Sequence, residues 1–196
     1  FSHTCSGDNR FLIVGVKGNL DTDLVTGATY NSVSMTLLRV VQVTSSRWVY
    51  VFGLSNPTSG ANNVVISASS STFINGVSAS YNGVAQGGQP EAQANLSGTA
   101  VTNHDGTVTT INNNAWIVSY AAATVGFSDV GTGVTRIQGD GNTHELMDNG
   151  PITPAGSASC QFGAGGPTGN WQSATMSLAP FVGASLMFPR WGSVRR

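Results

Sequence analysis

The sequence predicts an all-β fold of roughly eight to ten short strands, closed as a sandwich or barrel and without substantial helix. Three observations carry this. Apolar residues come in short runs or in alternation, and nowhere at the 3.6-residue period of a helix. The 196 residues include 25 glycines and seven prolines, punctuation dense enough to end each strand after a few residues. No repeat of about 20–50 residues recurs, which sets aside propellers and solenoids.

The elements follow in order. Arg10 to Val16 is nearly continuous apolar between turn residues, the pattern of a central strand covered on both faces. Val25 to Tyr30 and Val33 to Val43 flank Asn31 and Ser32, a tight hairpin because asparagine tolerates positive φ. Arg47 to Leu54 is the clearest strand, with Trp48, Tyr50 and Phe52 on one face and Val49, Val51 and Gly53 on the other. Asn56 to Gly60 is a proline turn, after which Asn63 to Ser69 returns as a strand. In Phe73 to Val84, alternation puts Val77, Ala79 and Tyr81 on one face. Residues 85–106 are almost wholly Ala, Gln, Gly, Asn, Thr and Ser, and read as a meandering surface loop with one short strand at most. Ala115 to Ala122 is another buried strand, Gly126 to Gly150 is acidic and turn-rich, and Ser157 to Phe162 and Gln172 to Leu178 are the last strands of the domain.

Charge narrows the function classes. Only 9% of residues are charged and the formal net charge is −1, against about 25% charged residues in an ordinary soluble domain. That excludes a broad electrostatic grip on nucleic acid or anionic lipid. No apolar run reaches the roughly 20 residues of a membrane-spanning helix, so neither nucleic acid nor membrane insertion is expected. The chain begins at Phe1, with no basic segment leading into an apolar one, and reads as a processed start or as part of a longer chain. Residues 149–196 carry three arginines and no acid, whereas residues 1–148 sum to −4. The segment 181–196 therefore stands apart as a C-terminal strand with a basic tip, or as an arm docking on a neighbouring subunit.

No chemistry-bearing motif converges. There is no G-x-S-x-G nucleophile elbow and no phosphate-binding P-loop. The glycine-rich stretch Gly163 to Gly169 leads into a strand and has no lysine nearby, so it reads as a hairpin loop. His144 and Glu145 begin like the zinc motif H-E-x-x-H, but Asp148 stands where the second histidine belongs and no helix is indicated. No cofactor is expected. Asp140, Asn142, Glu145 and Asp148 offer a Ca²⁺ ion hard oxygen donors in one loop, and Asp21 and Asp23 form a second short cluster, but all of these also suit ordinary turns. The chain is thus not expected to be an enzyme. Most aromatics lie on strong strands and read as core; Trp171, at a loop edge beside Asn170 and Gln172, is the candidate for stacking on a glycan.

Several segments in order carry a resemblance: Ser2 to Val16 (SHTCSGDNRFLIVGV), Val25 to Thr36 (VTGATYNSVSMT), Trp48 to Ile66 (WVYVFGLSNPTSGANNVVI), Ala79 to Val84 (ASYNGV) and Ser173 to Pro180 (SATMSLAP). Together they resemble a jelly-roll-like β-sandwich domain that recurs in tailed-phage and prophage virion proteins and in secreted bacterial proteins. The resemblance implies an antiparallel jelly-roll-like β-sandwich over residues 1–180, at a virion surface or outside the cell, without catalytic residues. The role it implies is that of a structural or surface-display module, a capsid decoration or tail-appendage protein. The alternative is a carbohydrate-binding or host-receptor-binding module. The polar segment 85–106 and the tail after Pro180 have no counterpart in the resemblance.

Two further expectations follow. In such sandwiches the first and last strands lie side by side, which would bring Cys5 and Cys160 within reach of a disulfide; two buried free thiols are the alternative. The best strands contain almost no charge to guard an exposed edge, so the chain is expected to associate with itself, as a cyclic homo-oligomer such as a trimer, and with other virion proteins. Phe181, Phe188, Arg190, Trp191, Arg195 and Arg196 are the contact candidates, being the side-chain types enriched at interfaces.

Overall fold

The structure, a computed structural model, describes residues 1–18, 22–44, 47–71, 73–99, 104–124, 126–127, 135–138, 143–162, 169–183 and 189–192. Among these there is no helix, and every strand pairing is antiparallel. In the first half of the chain the strands are β1 (Ser2–Cys5), β2 (Phe11–Gly18), β3 (Val25–Tyr30), β4 (Val33–Ser34), β5 (Thr36–Thr44), β6 (Arg47–Ser55), β7 (Gly60–Ala68) and β8 (Ile74–Tyr81). In the second half they are β9 (Ala92–Thr99), β10 (His104–Thr109), β11 (Ala115–Ala123), β12 (Thr135–Gln138), β13 (His144–Ile152), β14 (Ser157–Phe162), β15 (Asn170–Leu178) and β16 (Pro189–Gly192).

The all-β antiparallel sandwich is what the sequence predicts, but its strands number sixteen among the described residues rather than eight to ten. They form four sheets, ordered β1-β7-β3-β4, β16-β8-β2-β6-β5, β12-β13-β11-β15-β9 and β10-β14. Three apolar clusters separate them into stacked layers. The largest lies between the two five-stranded sheets, where Phe11, Ile13, Val49, Val51 and Tyr81 meet Val118, Tyr120, Leu146 and Met176. A second joins the other face of β2 and β6, through Leu12, Val14, Tyr50 and Phe52, to Tyr30 and Val64 of the four-stranded sheet. A third joins the outer face of β11, through Ile117 and Ala121, to Val108 and Cys160 of the two-stranded sheet. Both five-stranded sheets are therefore covered on two faces, which is why β2 and β11 are buried along their whole length and read as nearly continuous apolar runs.

Three segments differ from the sequence reading. The run Val33 to Val43 is broken at Met35, whose amide bonds back to the Ala28 carbonyl at 2.9 Å, so β4 finishes the Asn31–Ser32 hairpin and β5 crosses to another sheet. That hairpin has φ of 48° at Asn31 and 64° at Ser32, the doubly left-handed geometry of a two-residue turn. Residues 85–106 are not a meandering loop. They supply all of β9, paired with β15 at eight consecutive positions, and the start of β10. Residues 126–150 likewise hold β12 and most of β13, the latter buried from His144 to Asp148. The basic tip is outside the described residues, but Pro189 to Gly192 close the tail as β16, an edge strand on β8.

Candidate functional site

The titratable side chains of the interior are dispersed, and Asp148, His3 and Lys17 each have a hydrogen-bond partner at a different place in the layers. On β13, alternation sends Asp148 toward the central core, where the Tyr81 hydroxyl of β8 donates to Asp148 Oδ2 at 3.0 Å. Burial raises the Asp148 carboxyl to about 7, and the hydrogen bond from Tyr81 offsets only part of that rise. Tyr81 is itself pushed well above its ordinary value, first by burial and then by the Asp148 charge. The pair is sealed: Tyr81 is 1% exposed and Asp148 2%. Near the other end of the chain, His3 Nδ1 lies 2.8 Å from Ser78 Oγ, and burial lowers the imidazole to about 4. The single lysine, Lys17 on β2, is 4% exposed and donates from Nζ to Thr143 Oγ1 at 2.5 Å. A proton donor and acceptor are present in each place, and Tyr81, Asp148, His3, Ser78 and Lys17 are all buried.

Alternation on β13 also separates residues the sequence placed together. Glu145 points to the outer core and Asp148 to the central one, so these two do not share a cation; Asp140 and Asn142 lie outside the described residues. Among the described residues no group of three or more His, Cys, Asp or Glu side chains converges. Cys5 and Cys160 are two buried free thiols, Cys5 in the cluster beside the four-stranded sheet and Cys160 in the cluster beside the two-stranded one. The disulfide expected from neighbouring first and last strands does not form, because the two central sheets lie between β1, which carries Cys5, and β14, which carries Cys160. Burial raises both thiols above their ordinary value.

Trp171 is not a stacking platform. It stands on β15, flanked by β11 and β9, and belongs to the buried cluster that also holds Val108 and Phe127, leaving 5% exposed. The backbone of Gly98 lies so close that a Cβ there would sit 2.5 Å from Trp171 Nε1. Of the expected contact residues, Phe181 is 39% exposed with its amide bonded to the Gly83 carbonyl at 2.7 Å, and Arg190 and Trp191 are held by backbone pairing to Ser80 and Ala79. Phe188, Arg195 and Arg196 lie outside the described residues.

Two surface features stand out among the described residues. One is a shallow groove of about 320 Å³ lined by Asn31, Ser32, Ala61, Asn62, Asn63 and Val65, where amide side chains flank a half-exposed valine. The other is the set of open sheet edges. The strands whose low charge suggested association, β2, β6 and β11, are all interior, with a neighbour on each side. The edge the sequence reading missed is β9. Its Ala, Gln, Asn, Ser and Gly have low strand propensity, and only the eight-position pairing to β15 makes it a strand. No family model, curated protein or solved structure matches the chain.

Proposed function

We propose that the chain is a non-enzymatic structural module of a virion, a capsid decoration or tail-appendage protein that works by contact with copies of itself and with other virion proteins. The resemblance of its segments to virion sandwich domains supplies the setting. The observation that carries the role is the division of labour between interior and surface. Asp148, His3 and Lys17 are each locked under a layer by a local hydrogen bond. The surface, by contrast, carries few charges and offers isolated apolar side chains such as Val33, Leu37, Val65 and Leu96. Such a surface hydrogen-bonds water without strong fields and lets neighbouring copies approach. The test is native mass by light scattering together with co-sedimentation with purified particles at fixed stoichiometry. A monomer that sediments with no particle overturns the proposal.

Carbohydrate binding is the second reading. With Trp171 buried, its support is the asparagine-lined groove, since paired amides suit sugar hydroxyls. Binding on a glycan array that is lost in Asn62→Ala would favour it.

A further inference from the structure

We infer that β9 is a self-pairing edge: two copies join their β9 strands antiparallel about Asn95, fusing two five-stranded sheets into one of ten strands. The inference rests on the assembly reading and names its partner as a second copy of this chain.

A sheet edge leaves a row of backbone N–H and C=O groups unpaired, and folded proteins guard such edges by shortness, bulges, charge or proline. Among the described residues, the other edges except β14 carry one of these guards, and β14 is the shorter strand at six residues. β4 has two residues, and β1, β12 and β16 have four each. β5 has nine, but its register shifts twice, between Leu37 and Arg39 and between Gln42 and Thr44. β10 carries Asp105, and the Ser159 carbonyl of β14 is already taken by Asn149 Nδ2 at 2.9 Å. β9 has none of these guards: eight residues, Ala-Gln-Ala-Asn-Leu-Ser-Gly-Thr, without charge, proline or register shift.

The strand is also complementary to itself. An antiparallel pair keeps its faces aligned when each residue sits opposite one of the same parity. Centred on Asn95, this register sets Asn95 opposite Asn95 and Gln93 opposite Ser97 on one face, with Ala94 opposite Leu96 and Ala92 opposite Gly98 on the other. Amides then meet an amide or a hydroxyl, and the apolar pairs are small enough for close approach. Gln93, Asn95, Leu96 and Ser97 are exposed in the single chain and stand ready for this contact. The two-fold axis uses each β9 once, so the pairing closes at a dimer.

Charge at the axis tests this register. Asn95→Lys and Asn95→Asp each place like charges opposite one another and are expected to weaken the dimer at least about tenfold, while their equimolar mixture recovers it. Since Asn95 is exposed, the circular dichroism of each variant should match the wild type, while any thermal stability lent by the dimer should fall with it. Sedimentation reads the mass, and hydrogen exchange reads protection of the β9 amides. An oligomeric wild type whose mass ignores both variants overturns the β9 pairing and leaves the assembly reading standing. A wild type monomeric at high concentration overturns the pairing, and co-sedimentation with particles then decides the assembly reading separately. Protection of β9 only in the presence of a different virion protein assigns the edge to that protein's strand and likewise overturns self-pairing.

Discussion

Asp148 and His3 set opposite pH dependences on one fold. Asp148 titrates near 7 in the folded chain and near 3.8 when unfolded, so between these values the folded state binds more protons. Stability from this group is complete below about pH 4 and falls as pH rises to 7, by as much as about 4 kcal/mol. His3 goes the other way. Its folded value is about 4 against 6.5, so the unfolded state takes the proton first, and stability present above pH 6.5 is lost on acidification toward pH 4. The wild-type profile is therefore flattened by cancellation. Urea unfolding of Asp148→Asn across pH 4–7 should show stability rising with pH as His3 deprotonates, with the downward component gone. His3→Gln should show only the fall. Identical slopes in all three proteins would contradict this account. The thiols give a simpler expectation: intact mass is the same with and without reduction, and alkylation of Cys5 and Cys160 is slow until the chain unfolds.

The central strands were legible because burial on both faces demands continuous apolar sequence, as in β2 and β11. β6 was legible down to its faces: Tyr50 and Phe52 pack toward the four-stranded sheet, Val49 and Val51 toward the central core. What could not be read was pairing that overrides composition. β9 looks like a loop because nothing in its side chains asks for a strand, and β13 looks like a turn because His144, Glu145 and Asp148 are residues of turns and surfaces. Burial tolerates them only where local partners exist, and sequence alone does not supply those partners. The fit between the two central sheets depends on one glycine. A Cβ at Gly15 of β2 would stand 2.4 Å from Tyr120 Cδ2 on β11. Gly15→Ala should cost about 2 kcal/mol in chemical unfolding, and pairing it with Tyr120→Leu should recover part of that loss. A neutral Gly15→Ala would mean the sheets slide freely over one another.

At the scale of the whole molecule, the four layers make the tail structural. β16 pairs with Ser78 to Tyr81 of β8, so removing residues 181–196 bares an interior strand rather than merely deleting an arm. The truncated chain should melt at a lower temperature and scatter more light on heating, as an uncovered edge recruits neighbours. An unchanged melting curve would return the segment to the role of a detachable contact.

The burial of Lys17 has a practical consequence for anyone handling the protein. With the only lysine 4% exposed and hydrogen-bonded to Thr143, acylating dyes, biotin esters and aldehyde fixatives find no lysine on the native surface, the α-amino group apart. Fixing an assembly of this chain for imaging calls for carboxyl- or arginine-directed reagents, and amine labelling at Lys17 becomes a direct report of opening between the central sheets.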